Sequence, residues 1–237
     1  MKISGCVVFC FMIVVSLSQA CRKSRPLDAP IDTPTGWHAC PELPYGNERS
    51  SMTKYQMALK GLFIDRLGSD WRVRAGAIRQ QKFVPESAAL WVEDKSGNSW
   101  FFALRAEQPI WLRGGFGRWP TSAHPPPNVE IESRRAMLAR DVAEALSAAI
   151  RTSYAHASIS ESRLLGVDMG ENDTLVVADE RGLRCLVVLS PPAESISGRF
   201  VELMNQLDWA VRYADGTGDL SDAKAVALAQ QLSGAGF

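Results

Sequence analysis

The three histidines, His38, His124 and His156, are the first places where acid–base or metal chemistry could reside. None has a second histidine at metal-ligand spacing, and the chain has neither a His-Glu-x-x-His nor a Cys-x-x-Cys pattern. His156 closes a predicted helix, where an imidazole does no more than favour the helix dipole. Two acidic stretches, Asp168 to Asp173 and Asp215 to Asp222, do not follow the calcium-loop order. Leu220 stands where the second would need its glycine, so both read as turns. Gly114-Gly115-Phe116-Gly117 lacks the lysine and the strand-to-helix setting of a phosphate cradle. No catalytic residue, metal or cofactor is expected from these patterns.

Ser51-Met52-Thr53-Lys54 resembles the Ser-x-x-Lys motif of penicillin-recognising enzymes, which sets serine and lysine one helical turn apart for acylation. The companion Ser-Asp-Asn and Lys-Thr-Gly motifs are missing, and Ser51 reads instead as a helix N-cap. The residues that stand out are aromatic. Five of the seven tryptophans lie between Trp71 and Trp119. Trp91, Trp100 and Phe102 fall in strand-like runs and are expected in the core. Trp111, Phe116 and Trp119 fall in a Gly/Pro-rich stretch with Arg113 and Arg118 interleaved. Trp and Arg are the usual anchors of protein interfaces, so these five residues form the candidate partner-binding set. The bland alternative is a loop that folds its aromatics back over the sheet.

The N-terminus bears on where such binding would occur. Lys2 is followed by an apolar run from Val7 to Leu17 and a small-residue exit at Ser18-Gln19-Ala20, the three parts of a secretory signal. The run falls short of the roughly 20 apolar residues needed to span a bilayer. Cys21, directly after Ala20, resembles the acylated cysteine of a bacterial lipobox. Ser18 and Gln19 depart from that pattern, and ordinary cleavage after Ala20 is the competing reading. Residues 22–36 are polar and Pro-rich, as a tether would be. The resemblance implies a lipid anchor at Cys21. Arg22, in place of the aspartate that marks inner-membrane retention, implies the outer membrane.

Cys6 and Cys10 leave with the signal. If Cys21 is lipidated, Cys40 and Cys185 can pair in an oxidising compartment. Otherwise Cys185 is a buried apolar residue, with Cys40 free or paired to Cys21. Formal charge balances at 26 basic against 26 acidic residues, which gives no electrostatic case for nucleic acid.

The elements follow from periodicity. Helices are expected over about Ser51–Leu67, Val129–Tyr154, Glu194–Tyr213 and Ser221–Gly234. Trp71–Arg79 alternates as a strand, with Trp71, Val73, Ala75 and Ala77 on one face. Two hairpins follow the same logic: Ala88–Glu93 with Ser99–Arg105, and Thr174–Asp179 with Arg184–Leu189. A further strand is expected at Arg163–Met169. Laid over each other without gaps, Leu90–Arg105 and Leu175–Ser190 match at five of sixteen positions. Repetition and the convergence common to all hairpins both account for this.

The expected class is α+β: antiparallel sheets covered by helices, with two helix-plus-three-strand units as possible repeats. The chain divides into a signal (1–20), a tether (21–50), a first unit with the Trp-rich loop (51–128) and a second unit with the C-terminal helices (129–237). Reasoning by class, export, tether and compact body lead to a periplasm-facing lipoprotein that binds another protein. The leading form is an immunity protein against a secreted antibacterial toxin. An envelope scaffold and a periplasmic hydrolase using His156 or His124 are the alternatives.

Overall fold

Strands that are apolar at every position, rather than at alternate ones, belong in a sheet buried on both faces. Ala88–Val92, Phe101–Leu104 and Asp173–Val177 come close to this pattern: every residue in them is buried. A computed structural model describes residues 37–40, 51–80, 84–110, 129–157, 172–213, 219–220 and 223–234. It shows one sheet with helices on both faces. The strands are β1 (His38–Ala39), β2 (Trp71–Gln80), β3 (Ser87–Asp94), β4 (Ser99–Ala106), β5 (Ile131–Leu138), β6 (Asn172–Asp179), β7 (Gly182–Leu189) and β8 (Asp219–Leu220). Their order is β1-β7-β6-β2-β3-β4-β5-β8. The first seven pair antiparallel, and β8 adds a short parallel edge to β5.

Helix α1 (Ser51–Phe63) covers one face through Tyr55, Leu59, Leu62 and Phe63. Helices α2 (Arg140–His156), α3 (Ile196–Tyr213) and α4 (Ala223–Gly234) cover the other. The fold class is thus the expected α+β arrangement. A buried polar triangle of Gln56, Gln80 and Thr174, with hydrogen bonds of 2.7 to 3.1 Å, ties α1 to β2 and β6. These bonds offset the cost of burying three polar side chains.

Four sequence expectations are corrected. The helix expected over Val129–Tyr154 is a strand, β5, followed by α2. Glu, Arg, Ala, Met and Leu are good helix formers, and no turn residue marks the break. Pairing with β4 from Ile131 to Met137 overrides that propensity. Ala139 makes the change of direction in extended backbone (φ −59°, ψ 150°).

Second, β2 does not keep one face. A bulge at Arg74, between the Val73–Val92 and Ala75–Trp91 pairs, inserts one residue and inverts the alternation. Val73 therefore faces α1, while Ala75 and Ala77 face the three helices. Third, α1 stops at Phe63. A short 3-10 turn at Asp65–Leu67 follows, and Gly68 ends it at φ +76°. Fourth, part of the expected tether belongs to the body. Trp37 is buried against Tyr154, with ring centroids 5.1 Å apart. His38 and Ala39 pair with Cys185 and Arg184.

The hairpins β3–β4 and β6–β7 lie on opposite sides of β2 and share its sheet. Their matched residues face opposite sides of that sheet. Leu90 and Val92 point to α1, whereas Leu175 and Val177 point to the three-helix side. At Gly76, in the middle of β2, the neighbouring β3 leaves no room for a side chain. A Cβ there would sit 2.5 Å from both the Ala89 carbonyl oxygen and Leu90 Cδ2. The expected strand at 163–169 lies outside the described residues.

Candidate functional site

The five residues of the candidate partner-binding set, Trp111, Arg113, Phe116, Arg118 and Trp119, lie outside the described residues, as do Cys21 and His124. The segment's two roots are described, and they are firmly held. The chain leaves the end of β4 and returns at the start of the neighbouring β5, with Ile110 and Val129 both buried on the α1 side. Glu86 sits beneath the first root, fully buried. One carboxylate oxygen accepts the Tyr55 hydroxyl at 2.6 Å and the other accepts the Ile110 N–H at 2.7 Å. The Glu107 N–H donates to the Glu130 carbonyl at 3.1 Å, closing the roots on each other.

Two arginines grip the returning strand from opposite faces. Arg66 donates to the Val129 carbonyl at 3.0 Å from the α1 side. Arg212 of α3 reaches Glu132 at 3.8 Å from the other side, while also donating to Asp208 at 2.8 Å. Burial, and then the adjacent Glu86 charge, push the Tyr55 phenol far above its ordinary range. It therefore stays a neutral donor to Glu86 at any physiological pH.

The disulfide is present. Cys40 and Cys185 are bonded, with Cα atoms 5.2 Å apart across 145 residues of sequence. The Cys40 N–H also donates to the Leu183 carbonyl at 3.0 Å, so the link extends the β1–β7 pairing.

The expected core aromatics divide. Trp91 and Phe102 are buried as expected. Trp100 is only partly buried, at one end of β4. Trp71 packs edge to face on both Trp100 and Phe102 there, with centroids 6.0 and 4.9 Å apart. The Arg135 guanidinium rests 5.6 Å from the Trp71 and Trp100 ring centres and 5.9 Å from that of Phe102. Sequence alone does not reveal this stack, because Arg135 falls in a helical pattern.

Nor does it single out Trp209 and Tyr213. These are exposed on α3, with ring centroids 5.0 Å apart. The available signal is their i, i+4 spacing, off the Phe200, Leu203, Leu207 and Val211 stripe that buries α3.

An open cleft of about 1230 Å³ lies between α3, α4 and the β2–β6 end of the sheet. Arg79 and Asp173, 3.5 Å apart, line it with Ser190, Arg199 and Gln231. His156, the base named for a hydrolase, is exposed at the end of α2 and is not among the described residues lining this cleft. His38 is a β1 strand residue paired with Cys185. No protein-family model matches the sequence, no curated protein matches it, and no solved structure matches the fold.

Proposed function

We propose that this chain is an exported, lipid-anchored envelope protein that binds another protein through the Trp111–Trp119 segment. Its most concrete form is an immunity protein that neutralises a secreted antibacterial toxin. The observation that carries the reading is the Cys40–Cys185 disulfide. Disulfides of this kind belong to oxidising compartments. This one also uses two of the three cysteines that follow the signal, leaving Cys21 as the odd one, in the position a lipid anchor takes. The grip of Glu86, Arg66 and Arg212 on the loop roots is a second support. A binding segment mounted on fixed ends loses less conformational entropy when a partner seats on it.

Two experiments test the proposal. Palmitate labelling should mark the wild-type protein, and Cys21→Ala should abolish the label and release the protein from membranes. An unlabelled wild type would remove the anchor. A pull-down of the soluble body from the host's envelope and secretome, read by mass spectrometry, should return one stoichiometric secreted toxin. Trp119→Ala should then weaken that complex by roughly 2 kcal/mol, with the melting temperature unchanged. Recovery of membrane-complex subunits would replace the immunity reading with the scaffold. Recovery of nothing would favour a hydrolase.

A further inference from the structure

Among the described residues, β5 is the last long strand on its side of the sheet. Its inner edge pairs with β4 from Ile131 to Met137. On its outer edge the described residues supply only β8, at Met137 and Leu138. The outer edge of Ile131–Ala136 therefore has no strand partner among the described residues, and Glu132, Ser133, Arg134 and Arg135 are exposed. A row of open N–H and C=O groups is a template for another strand.

The charges on β5 say which strand. Glu132 and Arg134, two residues apart with opposite sign, point to the face that carries α3, where they pair with each other at 3.4 Å and stay largely exposed. Consider two copies of β5 paired antiparallel about a two-fold axis normal to the sheet. Opposed residues must face the same side. Centred on Ser133, Glu132 of each copy meets Arg134 of the other. Centred on Glu132 or Arg134, like charges meet head-on at the axis, which is unfavourable. Ser133 is also the midpoint of Ile131–Arg135, within the stretch that has no strand partner among the described residues. The strand is self-complementary in this register, as a two-fold interface requires.

A separate observation points to the same edge. Trp209 and Tyr213 are 61% and 69% exposed, the two most exposed large apolar side chains among the described residues. They flank Arg212 on the last turns of α3, and Arg212 reaches Glu132. The aromatic pair is thus exposed on the same closing turns of α3 from which Arg212 reaches β5.

We infer that the protein forms a two-fold dimer by antiparallel pairing of β5 about Ser133. Glu132 of each copy faces Arg134 of the other. The inference does not depend on the partner-binding reading.

Sedimentation equilibrium of the purified protein tests it. The wild type should be a dimer. Arg134→Glu and Glu132→Arg each place two like-charge pairs across the axis, and each alone should weaken the dimer by about tenfold or more. Mixed together, the two variants should form a heterodimer tighter than either homodimer. Both positions are acidic in the first variant and basic in the second, so every pair across the axis becomes one of opposite charge. Circular dichroism of each variant confirms that it is folded. A monomeric wild type, a dimer indifferent to both substitutions, or a mixture no tighter than its components would each overturn the inference.

Discussion

The hairpins β3–β4 and β6–β7 carry an aspartate at the same place, yet the two side chains do different work. Asp94 accepts hydrogen bonds from the Ser96 and Asn98 backbone N–H groups, the Asn98 amide and the Trp100 indole, all within six residues. Asp179 accepts a turn bond from the Arg181 N–H at 2.7 Å. Its other oxygen takes Arg184 at 3.0 Å and the hydroxyl of Tyr154, from α2, at 3.0 Å. The turn lengths explain the difference. Four residues separate β3 from β4, and two of them, Ser96 and Asn98, together with Trp100 fill the Asp94 carboxylate. Only Glu180 and Arg181 separate β6 from β7, so one oxygen is left to reach outward. A short turn converts a local organiser into a tertiary one.

Cutting the disulfide, which acts on the second hairpin alone, should give the largest effect, because the bond closes a loop of 145 residues. Cys40→Ala, or reduction, frees β1 from β7 and should cost about 2–5 kcal/mol in chemical denaturation. Asp179→Ala should come next, at about 1–2 kcal/mol, since Arg184 and Tyr154 lose a mostly buried acceptor. Asp94→Ala should cost less than Asp179→Ala, because its partners are mainly exposed turn groups that water can satisfy. An equal or larger loss at Asp94 in paired melts would sink the local-versus-tertiary distinction.

Acid titration sharpens the comparison further. Hydrogen bonds from the Asn98 side chain and backbone hold the Asp94 carboxyl below its ordinary range. Burial works against the Asp179 charge, but the bonds from Arg184, the Arg181 N–H and Tyr154 outweigh it, and its carboxyl is also held low. A depressed carboxyl contributes stability that is fully present above its unfolded value of about 3.9. That stability is lost as pH falls through the lower folded value. Wild-type stability should therefore fall below about pH 4, and Asp179→Asn should be less stable at neutral pH with a flatter acid limb. An unchanged acid limb in that variant would show that the Asp179 carboxylate is not linked to folding.

Both hairpins are legible from sequence because their signals are local: apolar runs of strand length with Gly97 and Gly182 at the turns, both at positive φ. The stripes of α3 and α4 are legible for the same reason. The disulfide is one of the pairings that cysteine parity allows, the one expected if Cys21 is lipidated. β5 is not legible, since Ile131–Leu138 is built largely of helix formers and becomes a strand only because β4 offers it an edge. The Arg74 bulge, the burial of Trp37 and the Arg135 stack are hidden likewise, each depending on a neighbour distant in sequence. In the candidate site, composition singles out the Trp111–Trp119 segment. The grip of Glu86, Arg66 and Arg212 on its roots needs the folded chain.

The sequence by itself determined the class of the fold, the positions of the hairpins and the residue types from which a partner-binding set could be chosen. These depend on local periodicity, turn chemistry and residue type. Tertiary structure alone decided which face each strand presents, which segment extends the sheet at β5, and which aromatics remain outside. Those choices are made by hydrogen-bond pairing and burial between residues far apart in the chain, and no local pattern encodes them.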